Sequence, residues 1–99
     1  ALYCAAKAGL RALTDVLREE ERGRVRVTTV YPGRVDTPMQ RRAHRERSRR
    51  LHAEGSKARH YRAADHMTTT SVASTVRLAV DMPVDTVVED LSVRPADML

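Results

Sequence analysis

Aromatic side chains are scarce: three tyrosines, no phenylalanine and no tryptophan in 99 residues. Proteins that bind single-stranded nucleic acid stack bases on aromatic rings, so the shortage argues against a nucleic-acid partner. Cysteine is scarcer still. Cys4 stands alone, which excludes an internal disulfide, and no His/Cys spacing suggests a zinc site. A reducing cytoplasm is the compartment this leads one to expect. No apolar run approaches the roughly 18 residues of a membrane span, so no membrane partner is expected. Ala1-Leu2-Tyr3-Cys4 reads as neither a start methionine nor a signal peptide.

What is present suits an ordered globular chain, with 41% hydrophobic and 31% charged residues. The length allows one domain, and a core this small is marginal unless something else completes it. The net charge of +5 is uneven. Residues 41–62 hold nine basic side chains (Arg41, Arg42, Arg45, Arg47, Arg49, Arg50, Lys57, Arg59, Arg62) against Glu46 and Glu54. That segment is +7 and the remainder −2, so the basic character belongs to one stretch of chain.

Along the chain, Ala6, Leu10, Leu13 and Leu17 follow the spacing of one apolar stripe, with Val16 beside it. They predict an amphipathic helix over 2–22, stopped by Gly23. The β-branched run Val25–Tyr31 predicts a strand near 24–31, closed by Pro32-Gly33. Residues 39–66 are polar, Arg-rich and weakly patterned. They read as a long loop, with room for an isolated helix within 39–54 that Gly55-Ser56 would interrupt. From a cap at Thr70 or Ser71, a second helix runs to about Asp81, with Val72, Ala73, Val76, Ala79 and Val80 as its apolar face and Pro83 beyond it. Thr86–Val93 predicts a second strand, ended by Pro95.

Helix, strand, loop, helix, strand is the alternation of a parallel sheet with crossover helices. Two strands cannot cover both faces of such a sheet. The expectation is therefore α/β, with the chain forming the C-terminal part of a larger doubly wound domain.

Tyr3 and Lys7 stand four apart at the start of the first helix, on one face. A free tyrosine has a pKa near 10, but an ammonium held beside it favours the phenolate, so the pair is a plausible acid/base device. Ala5, Ala6 and Gly9 keep the surroundings small enough for a flat ring to approach. After the strand comes Pro32-Gly33-Arg34-Val35-Asp36-Thr37. In order and spacing these two segments resemble the short-chain dehydrogenase/reductase family, whose members carry Tyr-x-x-x-Lys at a helix start and Pro-Gly-x-Val/Ile-x-Thr after the next strand. Val93-Arg94-Pro95 also resembles the family's last strand and following proline. The resemblance covers 1–38 and 70–96. It omits 39–66, which varies widely in the family.

The resemblance implies a Rossmann-type sheet and an NAD(P)-dependent oxidoreductase acting on an alcohol or carbonyl substrate. Tyr3 would be the general acid/base. Lys7 would hydrogen-bond the nicotinamide ribose and favour the Tyr3 phenolate. Pro32 and Gly33 would line the nicotinamide, Val35 would offer backbone groups to its carboxamide, and Thr37 would hydrogen-bond the carboxamide or a phosphate. It also implies a cytoplasmic homo-oligomer. The family's Gly-rich turn, its NAD/NADP-discriminating residue, its serine and its asparagine would all precede residue 1, leaving 1–99 as the C-terminal part of one NAD(P)-binding domain.

The segment 39–66 would then be the variable substrate loop. Its arginines would recruit an anionic substrate or an NADP phosphate, attract an acidic protein or nucleic acid, or simply remain solvated. His44, His52, His60 and His66 lack a regular metal-ligand spacing, and no metal is expected. Two rivals to the oxidoreductase reading remain: a basic interaction module using 41–62, and a family member that keeps the fold without catalysis.

Overall fold

The computed structural model describes residues 1–55 and 60–96. In chain order it contains α1 (Leu2–Glu20), β1 (Thr29–Pro32), α2 (Pro38–Ala53), a 3-10 turn (Ala63–Asp65), α3 (Thr69–Val80) and β2 (Asp90–Val93). β1 and β2 are parallel neighbours, in register from Thr29 opposite Asp90 to Pro32 opposite Val93. Among the described residues the fold is α/β, with a two-stranded parallel sheet and three α-helices. Among the described residues no helix is long and apolar enough to cross a membrane.

Both strands are shorter than their β-branched runs. Only the C-terminal half of each run pairs. Val25–Thr28 and Thr86–Glu89 diverge around a cavity of about 480 Å³ that Arg22, Val25, Val84 and Val87 help to line. At its closing end Thr28 Oγ1 donates to the Val88 carbonyl at 2.7 Å.

Most of 39–54, expected as loop with room for a helix, is the four-turn α2. Thr37 caps it, accepting from the Gln40 N–H at 3.1 Å, and Pro38 opens it, where the missing N–H costs nothing. Gly55, at φ +80°, follows its end, while Ser56, Lys57 and Arg59 lie outside the described residues. α3 begins earlier than expected because its cap is Thr68, not Thr70 or Ser71. Thr68 Oγ1 accepts from the Ser71 N–H at 3.1 Å. α1 stops at Glu20, and Gly23 sits in the turn that follows at φ +87°, a left-handed conformation glycine adopts without cost.

Two arginines tie the helices to the strands. Arg18, its side chain only 13% exposed, donates from Nε to the Val27 carbonyl (3.1 Å) and from Nη2 to the Glu89 carbonyl (3.0 Å). It therefore joins α1 to the entrances of both strands. Arg26 donates from Nη1 to the carbonyls of Met82, Pro83 and Thr86 at 3.0–3.2 Å. A guanidinium there satisfies carbonyls just past the end of α3 and opposes the negative end of its dipole.

The face that α1 turns to β1 is not the leucine stripe. Arg18 reaches Val27, and the Arg11 guanidinium stands 5.1 Å from the Tyr31 ring centre. Counted at 3.6 residues per turn, Tyr3, Lys7, Arg11, Thr14 and Arg18 form one ridge. Leu10, Leu13, Val16 and Leu17 remain exposed, Leu13 at 65%. On α3 the half-buried positions are Val72, Thr75 and Ala79, while Val76 and Val80 border a cavity of about 260 Å³ beside Thr28 and Val30. No described residue is fully buried. The radius of gyration is 17.5 Å, against about 13 Å for a compact chain of a hundred residues. The apolar faces exist as the sequence indicates, but two strands do not cover them.

Candidate active site

Because α1 runs antiparallel to β1, its ridge gives the site its direction. Arg18 contacts the start of β1 and Arg11 contacts Tyr31 near its end. Lys7 and Tyr3 continue the ridge by one and two further turns, about 6 and 12 Å beyond Arg11. They therefore lie at the C-terminal end of the sheet, where β1 delivers Pro32 and Gly33. Ligands of open parallel sheets bind at that end. The Lys7 ammonium is 5.7 Å from the Tyr3 ring centre, so the pair is brought together. Tyr3 is 73% exposed, open to a ligand.

Gly33 closes the sheet. Its N–H donates to the Val93 carbonyl at 2.7 Å. A Cβ added there would meet that oxygen at 3.3 Å and the Arg94 Cα at 3.4 Å. The close approach of the β2 tail therefore favours glycine at 33. Beyond it, Val35 forms a parallel bridge with Met67. Met67 N–H donates to the Arg34 carbonyl and Asp36 N–H to the Met67 carbonyl, each at 2.8 Å. A bridge of that kind uses the groups flanking Val35, and turns Val35's own N–H and C=O to the opposite side. Those two groups match the amide complementarity of a carboxamide. Thr37 is committed as the α2 cap through its oxygen lone pair. Its hydroxyl hydrogen remains able to donate.

A side-chain cluster surrounds Asp36, which the sequence motif leaves unassigned. Asp36 Oδ1 accepts from Arg41 Nε at 2.8 Å and from the Tyr61 hydroxyl at 2.7 Å, and Oδ2 accepts from Arg41 Nη2 at 3.0 Å. The Arg41 fork, then the Tyr61 hydroxyl, hold the Asp36 carboxyl down at about 2. Burial, reinforced by the bond to Asp36, pushes the Tyr61 phenol upward, and Asp36 raises Arg41. The Tyr61 ring stacks on His66 at 4.5 Å and meets His44 edge-on at 5.5 Å. Nothing in the spacing of Asp36, Arg41, His44, Tyr61 and His66 announces this cluster. Its only signal was tyrosine and histidine within an otherwise arginine-rich stretch.

The arginine-rich segment itself is mostly α2. The half-buried positions of α2 are His44, Ser48 and Leu51, and Arg42, Arg45, Arg47, Arg49 and Arg50 are all exposed.

Residues 1–48 match the family model described as short chain dehydrogenase. That portion contains Tyr3, Lys7, Pro32, Gly33, Val35 and Thr37, and the family resemblance stands over it. No curated protein matches the chain, and no solved structure does.

Proposed function

We propose, taking residues 1–48 as a short-chain dehydrogenase segment, that this chain supplies the proton-transfer side of an NAD(P)(H)-dependent oxidoreductase site acting on an alcohol or carbonyl. The observation that carries the reading is the α1 ridge, which sets Tyr3 and Lys7 at the strand end that also presents Gly33 and Val35. Tyr3 is the general acid/base, giving a proton to a carbonyl oxygen or taking one from an alcohol. Lys7, its ammonium 5.7 Å from the Tyr3 ring centre, brings a positive charge beside the tyrosine, and its three N–H donors suit a ribose diol. Val35 offers its outward N–H and C=O to a carboxamide, and the Thr37 hydroxyl donates nearby. The nicotinamide, when bound, supplies or accepts the hydride.

The uncovered leucines of α1 support a second part of the proposal. The sheet extends beyond these two strands in the parent domain, as a doubly wound Rossmann-type sheet whose further strands cover Leu10, Leu13 and Leu17. The pyrophosphate would then bind in that other part. Substitution in the full-length protein tests the roles. Tyr3→Phe removes only the hydroxyl, so turnover falls by about a hundredfold or more while NAD(P)H binding stays nearly unchanged. Lys7→Ala damages both. Equal cofactor dissociation constants for wild type and Lys7→Ala would contradict the dual role of the lysine.

A further inference from the structure

We propose that Asp36 is a positioning residue: its carboxylate fastens both flanks of the arginine-rich excursion, α2 and residues 61–67, to the end of β1. What it positions rests on the reading above, since Val35 and Thr37 stand on either side of it in the chain.

Three separate segments converge on this carboxylate. The first turn of α2 supplies Arg41, whose fork engages both oxygens at 2.8 and 3.0 Å. The returning chain supplies the Tyr61 hydroxyl, at 2.7 Å from Oδ1. The strand extension supplies Asp36 itself, whose N–H is fixed on the Met67 carbonyl at 2.8 Å. The Tyr61 ring then fills the space between the flanks, touching His44 of α2 on one side and His66 on the other. The Arg41 guanidinium stands 5.2 Å from the centre of the same ring. His66 is anchored in turn, its Nδ1 being 2.7 Å from the Arg62 carbonyl.

The geometry also says what Asp36 does not do. Three donors occupy its oxygens, and the two strongest hold it ionised well below neutral pH. Both oxygens are engaged, and the carboxyl has no readiness to take up a proton. A role as base is therefore excluded, and a fixed acceptor is what remains. Fixing matters because the groups assigned to the carboxamide are backbone atoms of Val35, whose direction depends on the bridge to Met67. An anchor one residue away that holds both α2 and the Met67 segment keeps that bridge closed.

The test uses the full-length protein, with hydrogen exchange over 38–55 and 60–67 and fluorescence titration with NADPH and NADH. Tyr61→Phe removes one hydroxyl and keeps the ring, so it guards against a variant that merely fails to fold. Asp36→Asn removes the charge. Each should raise exchange on both flanks together and weaken cofactor binding about three- to tenfold, with kcat at saturation little altered. Because both act on the same bond, Tyr61→Phe removing it and Asp36→Asn weakening it, the double variant should be less than additive. Faster exchange on one flank alone, fully additive effects, or unchanged cofactor affinity would overturn the proposal. A wild-type protein that binds neither nucleotide would sink the oxidoreductase reading instead. The exchange pattern would still decide the anchor.

Discussion

Arg18→Met gives the most direct reading of how α1 is held on the sheet. Methionine keeps most of the aliphatic stem and removes the guanidinium. Lost with it are the bonds to the Val27 and Glu89 carbonyls, at 3.1 and 3.0 Å, and the contact with Asp15 at 3.1 Å. Glu89 and Asp90 carboxylates, at 3.8 and 3.9 Å, are more distant partners and more than half exposed. Two carbonyl bonds to a charged donor are worth about 1 kcal/mol each after competition with water, and the exposed ion pairs add a fraction of that. The expected loss is about 2–3 kcal/mol.

Arg22→Met is the control. Arg22 bonds Glu19 at 2.7 Å, shorter than any Arg18 contact, but both partners are about 70% exposed. Its effect should be small beside that of Arg18→Met, because water already solvates both partners. Urea unfolding of the full-length protein gives both numbers, provided the m-value does not change between variants. If Arg22→Met costs as much as Arg18→Met, bond length rather than burial and carbonyl capture sets the energetics, and the account of α1 docking is wrong.

Asp36 gives a pH prediction whose sign is fixed by its depressed carboxyl. A carboxylate favoured in the folded state contributes fully above its ordinary value near 3.8, and that contribution disappears as pH falls through about 2. The groups facing it are Arg41, Tyr61 and His66. The stability difference between wild type and Asp36→Asn should be flat from pH 5 to 7 and shrink between about pH 4 and 2; a constant difference down to pH 2 would refute the assignment. Residues 1–99 expressed alone should give no cooperative thermal transition and no shift with NADPH, because the leucine face of α1 and the outer strand edges stay uncovered. A sharp melt raised by NADPH would show that the uncovered faces are tolerated and that the pyrophosphate site lies within the chain.

Which features could be read from sequence follows from the range of the interactions that produce them. Tyr3 and Lys7 were legible because an i, i+4 pair shares a helix face whatever surrounds the helix. Pro32 and Gly33 were legible as the close of the strand because turn chemistry is local. The ends of the strands were not, since pairing depends on where two chains diverge, and Val25–Val27 are as β-branched as the residues that pair. Periodicity identifies the leucine face of α1 but not what meets the helix, and here Arg11 and Arg18, not the leucines, reach β1 and the chain leading into it. α2 was underweighted because its arginines carry no apolar stripe, although Thr37 and Pro38 form an adequate start signal. The Asp36 cluster was invisible, since Tyr61 lies 25 residues away and its hydroxyl reaches Asp36 only after α2 has folded back. The motif marks the residues on either side of Asp36, and tertiary structure shows what holds them in place.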